Sequence, residues 1–287
     1  MDPSSSPDYR KSLHVLNEEW SDCTRCSLGE RRDEVGSSII RGEGVTGGVM
    51  FIGKGPSRED ELAGGPFTDK PKLPGRVLRH VIKKLNIPRV YITNVVSCRS
   101  CAPDYDNEGQ PVYRKDFKTG ILKLQIKDQA PTPGQVKACL ARLHEEIYLV
   151  DPDIIIALGG AAAEALTRRS VSIQSENGTT VTIRVPGAGR RPSITEKRQV
   201  WARKVKGALV LPSVRAEVEY LMVPLLDPAY IISKGVDARM GNPVQVFIEG
   251  MLNAMRAYDR YLFETRGDMP TPRQLSEDDV QEAIDDE

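Results

Sequence analysis

Four short apolar runs separated by helical patterns limit the fold of this chain more than any other feature of its sequence. The runs lie at residues 49–53, 90–96, 153–158 and 220–225. Helical patterns follow the first two of them, at residues 75–86 and 134–149. Strands that alternate with helices form parallel sheets whose two faces are covered, and such strands are apolar along their whole length. We therefore predict an α/β fold with a parallel sheet flanked by helices.

The position of a binding site follows from this arrangement. In open parallel sheets, ligands bind outside the carboxyl ends of the strands. The loops after Gly53, Val96, Leu158 and Leu225 are therefore predicted to line the functional site.

The rest of the chain is predicted to complete one domain that spans residues 1–265. Helical patterns at residues 8–20 and 243–264 begin and end it. Two long polar segments, at about residues 102–131 and 170–210, are expected to be insertions, and connections of that length are usually functional or disordered. The remaining residues, 266–287, are rich in acids, and we expect a flexible tail.

Charge is balanced over the whole chain but segregated locally. Forty Lys and Arg side chains balance forty Asp and Glu side chains, which excludes a globally basic nucleic-acid-binding protein. Residues 184–206, however, contain eight basic side chains and one acid, Glu196. Neither a signal peptide nor a long apolar stretch is present, so we expect a cytoplasmic protein without membrane contact.

Five cysteines suggest a metal site or redox chemistry, because disulfides are rare in a reducing compartment. Cys23 and Cys26 form a C-x2-C pair, a spacing shared by zinc sites, redox motifs and iron-sulfur clusters. Cys98 follows the second apolar run, and Cys139 lies in the next helix. The spacing does not decide between Cys98 and Cys101 as a ligand, and free, buried thiols are the alternative.

Six segments, taken in order, resemble the iron-sulfur uracil-DNA glycosylases, the fourth family of the uracil-DNA glycosylase superfamily. The resemblance covers about residues 10–262 and predicts a single α/β domain with a four-stranded parallel sheet. The segments are CTRCSLGERR, FIGKGPSREDELAGGPF, YITNVVSCR, PTPGQVKACLARL, DPDIIIALGGAAAEAL and VPLLDPAYII.

The resemblance also implies a cofactor and two base-binding side chains. A [4Fe-4S] cluster of structural role would be held by Cys23, Cys26, Cys98 and Cys139, the positions that match the family's ligands. Phe67 would stack on a base flipped out of DNA.

Asn94 would read the edge of that base, which is the usual recognition mode of base-modifying enzymes. The alternative for Phe67 is a phenylalanine of the core, and the alternative for Asn94 is a turn residue at a strand end. Gly53 and Gly55 are expected to leave backbone N–H groups accessible to the base.

Two motifs depart from the family pattern where catalysis is expected. Residues 53–57 read GKGPS instead of G-E-A-P-G, and residues 227–229 read DPA instead of H-P-S or H-P-A. An ionised aspartate cannot donate a hydrogen bond to the leaving base, but a lysine can. We therefore expect Lys54 to stabilise the departing base, and Asp227 to orient Lys54, position water or accept from an exocyclic amine. The alternative is a plain ion pair in an inactive site.

Further site residues follow these motifs. Glu59 and Asp60 either activate water or simply favour the N-terminus of a helix by their charge. Phosphate contacts are predicted for Ser57 and for four residues of the basic segment. These four are Arg190, Arg191, Lys197 and Arg198.

Together these features predict a monomeric DNA glycosylase that needs no protein partner and leaves an abasic site. The altered motifs favour a modified pyrimidine, including a bulky one of the kind found in viral DNA, and with it a role in antiviral defence. A conventional uracil-DNA glycosylase of base excision repair is one alternative. A catalytically silent iron-sulfur protein that binds nucleic acid is the other.

Overall fold

The computed structural model describes residues 7–116, 118–186, 217–233 and 241–285. The helices are α1 Pro7–Glu19, α2 Ser27–Glu30, α3 Arg32–Val35, α4 Arg58–Ala63, α5 Pro74–Lys84, α6 Pro133–Val150, α7 Gly160–Thr167, α8 Ile173–Glu176, α9 Pro228–Ser233, α10 Pro243–Arg266 and α11 Glu277–Asp285. The strands are β1 Glu43–Gly44, β2 Val49–Gly53, β3 Val90–Asn94, β4 Cys101–Pro103, β5 Tyr113–Lys115, β6 Leu122–Leu124, β7 Ile126–Asp128, β8 Ile154–Leu158, β9 Val181–Pro186 and β10 Glu217–Leu225.

A central sheet with the strand order β1-β3-β2-β8-β10-β9 organises the domain. Its four inner strands are parallel and correspond to the four apolar runs, so the predicted α/β fold is confirmed. The sheet has two further strands, β1 and β9, which pair antiparallel at its two edges. β1 has only two residues, and the side chains of β9 alternate between buried and exposed, so neither forms an apolar run.

Apolar cores cover both faces of the sheet. Every residue of β2 and β8 is buried, and alternate side chains point to opposite faces. Phe51 packs with residues of α5, α10 and α11 on one face. Met50 and Ile52 pack with residues of α6 and α7 on the other. Helices on both faces explain why these strands lack polar positions.

The sequence predicts a flexible tail for residues 266–287, but part of this acidic segment is a helix that packs on the core. This helix is α11, whose Val280 and Ala283 are buried against the core that includes α5. These two residues and Ile284 follow the spacing of an amphipathic helix. Lys84 Nζ on α5 lies 2.9 Å from Asp279 Oδ1, so part of the acidic charge is neutralised where the helix packs.

The two long polar segments are ordered where they are described. In the first, β4 pairs with β7 and β5 pairs with β6, which gives two antiparallel hairpins. In the second, α8 leads into β9 at the edge of the main sheet. Its remainder, residues 187–210, lies outside the described residues. No helix in the described part of the chain is long and apolar enough to cross a membrane.

Candidate functional site

A cavity of about 240 Å³ lies at the carboxyl ends of the parallel strands, as the topology predicts. The loops after β2 and β10 and the loop between α4 and α5 contribute side chains to it. The lining residues include Lys54, Gly55, Pro56, Ser57, Asp60, Phe67, Thr68, Ser100, Asp128, Gln129, Asp227 and Ala229. The site thus combines both signs of charge with one aromatic ring.

The Phe67 ring and the Asn94 side-chain amide both lie next to Gly53. Gly53 ends β2 and pairs in register with Asn94, which ends β3. A Cβ atom on Gly53 would lie 2.5 Å from Asn94 Oδ1 and 2.5 Å from Phe67 Cζ. Because both contacts are far below van der Waals distance, only glycine leaves room for this arrangement. The structure therefore places Gly53, Phe67 and Asn94 side by side.

The backbone of Phe67 is held in an unusual conformation. Its φ of 49° lies in the left-handed region, which costs a non-glycine residue free energy. Arg79 on α5 donates to Phe67 O at 2.7 Å and to Pro66 O at 2.9 Å, and it also pairs with Glu43. Arg79 thus holds the turn that presents the Phe67 ring, which stays partly exposed at the cavity.

Asn94 carries an unpaired acceptor. Its side chain is 3% exposed, and Oδ1 has no hydrogen-bond partner among the described residues. Buried polar atoms are usually paired, and an unpaired one marks a site where a ligand can supply the missing group. Asn94 lies behind Phe67 and does not itself line the cavity, so a ligand must reach it alongside the ring.

A buried ion pair fixes the strand end that carries Asn94. Arg142 Nη1 donates to Glu146 Oε2 at 2.7 Å, and Arg142 Nη2 donates to Asn94 O at 2.8 Å. Tyr91 and Thr93 of β3 each donate to a Glu146 carboxylate oxygen at 3.0 Å. Both charged side chains are almost fully buried. Helix α6 and the end of β3 are therefore joined by a hydrogen-bonded network of opposite charges.

Asp227 sits against the turn that begins α7. A Cβ atom on Gly159, whose φ is +85°, would lie 3.2 Å from Asp227 Oδ2. Ala229 N–H donates to Asp227 Oδ1 at 2.9 Å. Burial raises the pKa of the Asp227 carboxyl above its usual range, while the Ala229 amide and the charge of Lys54 oppose that shift. The carboxylate is thus fixed in place and only partly compensated.

Lys54, by contrast, is exposed to solvent. It lines the same cavity as Asp227 and acts on that carboxylate through its charge. No ion pair within 4.0 Å joins the two side chains, and none is present between Lys54 and any other described residue. The plain ion pair of an inactive site is therefore not what the geometry shows.

The carboxylate of Asp60 is engaged in structure. Ser57 caps α4: its N–H and hydroxyl donate to Asp60 Oδ2 at 2.9 and 2.8 Å, and Asp60 N–H donates back to Ser57 Oγ. Thr68 N–H donates to Asp60 Oδ1 at 2.7 Å. Glu59 faces solvent and lies 3.4 Å from Lys70. These contacts favour the helix-capping alternative for Asp60 over water activation, and they occupy the Ser57 hydroxyl.

Other predicted site residues are placed less specifically. Gly55 lines the cavity, but a Cβ atom there would meet only ordinary contacts at 3.7 Å or more, so the position does not require glycine. The four basic residues predicted to contact phosphate lie outside the described residues. These are Arg190, Arg191, Lys197 and Arg198.

Four of the five cysteines lie near one another. Burial raises the pKa of the Cys98 thiol to about 12, and Cys139, Cys26 and Cys23 add to this as neighbouring potential anions. The pKa of Cys139 is raised by burial and by Cys26 and Cys23. The N-terminal pair, the segment after β3 and helix α6 therefore converge.

Cys101 lies in a different environment. Burial raises its pKa, and its charged neighbours are Arg99, Glu61, Asp128 and Arg31 instead of the other thiols. The choice that spacing left open thus favours Cys98. Within the described residues, however, no three His, Cys, Asp or Glu side chains are close enough to hold a single metal ion.

Sequence reasoning missed the charged residues that position the site. Arg142 and Glu146 lie three and seven residues after Cys139, on the buried face of α6. This helical spacing could have predicted from sequence that both charged side chains are buried. Arg79 gave no comparable signal, because its backbone partners are distant in sequence.

Comparisons with known proteins identify the same family. The model of the uracil DNA glycosylase superfamily matches residues 42–239. The "Type-4 uracil-DNA glycosylase" of Thermotoga maritima is 28% identical over 52% of this chain and 63% of its own length. Those of Sulfurisphaera tokodaii and Pyrobaculum aerophilum are 27% and 30% identical, over 70% and 54% of this chain. The alignments span 73% and 64% of these two relatives, so the chain covers just under two thirds of two of the three.

The buried pair generates a stability prediction. Glu146→Ala leaves Arg142 charged and without its carboxylate, which we expect to lower the free energy of unfolding by about 3–5 kcal/mol. The matched control is Glu219→Ala, which breaks the exposed pair with Arg184 and should cost about 0–1 kcal/mol. Chemical denaturation measures both. Equal losses in the two variants would contradict a special role for the buried pair.

Proposed function

Because the chain belongs to the uracil DNA glycosylase superfamily, we propose that it is a DNA glycosylase that hydrolyses the N-glycosidic bond of an extruded pyrimidine. The observation that carries this proposal is the unpaired Asn94 Oδ1, held beside the Phe67 ring at a strand end. An aromatic face and a free acceptor suit a flipped base, which enzymes recognise by stacking and by hydrogen bonds to its edge.

Binding of the base is assigned to Phe67 and Asn94. The ring offers a stacking surface at the cavity, and Arg79 fixes the turn that carries it. Asn94 Oδ1 accepts from an N–H of the base edge, which supplies the partner that the atom lacks in the free protein. The Arg142 contact to Asn94 O keeps this amide in place before the base arrives.

Bond cleavage is assigned to Lys54 and Asp227. When the bond from C1′ to the base nitrogen breaks, its electron pair passes to the base, and positive charge develops on the sugar. Lys54 donates to the base oxygen that becomes negative. Asp227 stabilises the cationic sugar and accepts a proton from the water that attacks C1′. Asp60 is left as a positioning residue, because its oxygens cap α4.

The substrate is proposed from the altered charges. The alternative role of Asp227 lies at the base edge instead of the sugar: there its carboxylate accepts from an exocyclic amine, which cytosine-type bases have and uracil lacks. We therefore place a modified cytosine first and uracil second. A bulky viral base and an antiviral role stay predictions.

The four convergent thiols fit a [4Fe-4S] cluster better than a single metal ion. Each thiolate of such a cluster binds its own iron atom, so the sulfur atoms need not meet at one point. Cys23, Cys26, Cys98 and Cys139 would hold the cluster, and iron would favour the thiolate form that burial now opposes. Bound there, the cluster supplies a structural crosslink between α6 and the segments that carry these cysteines.

DNA is the proposed partner of the protein. The basic side chains of residues 184–206 would contact phosphates and make binding dependent on salt. No protein partner is needed for the proposed reaction.

The first experiment tests cleavage. The protein is incubated with duplexes that contain uracil, 5-hydroxymethylcytosine or its glucosylated form, and alkali then reveals abasic sites. We expect Lys54→Ala to lower the single-turnover rate about 10²–10³-fold, because one donor to the leaving base is lost. Asn94→Ala should cost about 10–100-fold.

Lys137→Ala is the matched control, because this exposed lysine on α6 does not line the cavity. It should cleave like the wild type. Salt-dependent binding without cleavage of any duplex would favour the silent binder over the glycosylase.

The charge of Lys54 makes a prediction about pH. Burial raises the pKa of Asp227 and Lys54 lowers it, so Lys54→Gln must raise it further. If ionised Asp227 is required, the acidic limb of kcat/KM should move to higher pH in Lys54→Gln and not in Lys137→Gln. NMR titration of the Asp227 carboxyl gives the same comparison where activity is too low. An unshifted limb and titration would rule out this coupling.

Cluster content separates Cys98 from Cys101. Anaerobically purified wild-type protein should contain about four iron atoms and four sulfide ions per chain and absorb visible light. Cys98→Ser should lose most of this iron, whereas Cys101→Ser should retain it. Loss in both variants, or a colourless wild-type protein containing zinc, would reject the assignment.

A further inference from the structure

The hairpin formed by β4 and β7 builds one wall of the cavity. Its base brings Ser100, Asp128 and Gln129 to the site. Cys101 pairs with Asp128 across the two strands, and Gln129 N–H donates to Ser100 O at 2.9 Å. Asp128 and Gln129 come from the segment, about residues 102–131, that the sequence indicates only as a polar insertion, and Ser100 directly precedes it.

The hairpin base is locked to the rest of the site by charge. Arg99 is 8% exposed and donates to Asp128 Oδ1 at 2.5 Å. Arg99 Nη1 lies 3.4 Å from Oε2 of Glu61 on α4. Glu61 in turn accepts from Ser37 and from Ser38 N–H, at 2.5 and 2.9 Å. A buried cation held from two sides gives the wall a fixed position relative to α4 and its cavity residues.

Ser100 carries an unpaired hydroxyl in this wall. The residue is 6% exposed, and its Oγ has no partner among the described residues. A buried hydroxyl without a partner is unfavourable in a folded protein, and a ligand group that reaches Ser100 from the cavity would supply the missing hydrogen bond. Asp128 adds a carboxylate that is 55% exposed at the same wall, where it can accept from a donor group.

We propose that this wall determines which pyrimidine is accepted: Ser100 hydrogen-bonds the extruded nucleotide, and Asp128 favours a base that presents a hydrogen-bond donor. The inference rests on the proposed function. It extends that function to residues outside the motifs with which Lys54 and Asp227 were identified.

Ser100→Ala gives effects of opposite sign on stability and binding. Removing an unpaired buried hydroxyl should leave the unfolding temperature unchanged or raise it. Loss of one hydrogen bond to the nucleotide should weaken binding and kcat/KM about 2–10-fold. A purely structural role for Ser100 would lower stability and function together.

Ser97→Ala is the matched control. Ser97 is also buried with an unpaired hydroxyl, but it does not line the cavity. Its substitution should leave both DNA affinity and cleavage unchanged. An equal loss of affinity in Ser97→Ala and Ser100→Ala would overturn the contact with Ser100.

Asp128→Asn tests the choice of base. The probes are duplexes with 5-hydroxymethylcytosine or 5-hydroxymethyluracil, which differ in the amine or carbonyl at C4 and in the proton that only the uracil carries on N3. We expect the preference for the amine-bearing base, measured by fluorescence anisotropy and by cleavage, to fall about tenfold. An unchanged preference would overturn the role of Asp128.

The binding measurement separates the two proposals. A wild-type protein that binds these duplexes without cleaving them would contradict the proposed reaction. The affinities of the variants would then still test whether Ser100 and Asp128 select the base. If the wild type cleaves and Ser100→Ala has the same affinity and rate, the proposed role of Ser100 in the cavity wall is rejected. The proposed glycosylase reaction is then unaffected. Absence of both binding and cleavage would reject both.

Discussion

The buried pair of Arg142 and Glu146 is the interaction on which the geometry of the site depends. Burying two charges is unfavourable unless each finds good hydrogen bonds, and removing one partner is costly. Here the pair is completed by Tyr91, Thr93 and the carbonyl of Asn94. Because Tyr91, Thr93 and the Asn94 carbonyl of β3 each bind one member of the pair, α6 cannot shift along β3 without breaking several contacts.

This network connects the two chemically distinct regions of the molecule. Helix α6 carries Cys139, and the strand it fixes ends at Asn94. The next residues along the chain, 95–100, are all buried and include Cys98 and Ser100. One short segment therefore joins the base-reading amide, a proposed cluster ligand and the cavity wall. A structural cluster would stabilise the position of all three.

Much of this fold could be predicted from sequence because its central strands are buried on both faces. The first apolar run ends at Gly53, as β2 does, whereas the second extends to Val96, two residues beyond Asn94, where β3 ends and pairs with Gly53. The edge strand β1 and the hairpin of β4 and β7 escaped notice, since short pairings leave no apolar pattern. Likewise, the long-range contacts of Arg79 and Arg99 depend on the folded chain and have no local sequence pattern.

Lys54 and Asp227, whose charges are exchanged relative to the family pattern, differ in how firmly the structure holds them. Asp227 is fixed by the Ala229 amide and packs on Gly159, whereas Lys54 extends into solvent without an ion-pair partner among the described residues. Water screens the Lys54 charge in the free protein. A base that fills the cavity would displace this water, and the attraction between Lys54 and the negative charge that develops on the base would grow. In the proposed reaction, the lysine therefore contributes most at the step where the bond breaks, and a preformed ion pair would have weakened that contribution.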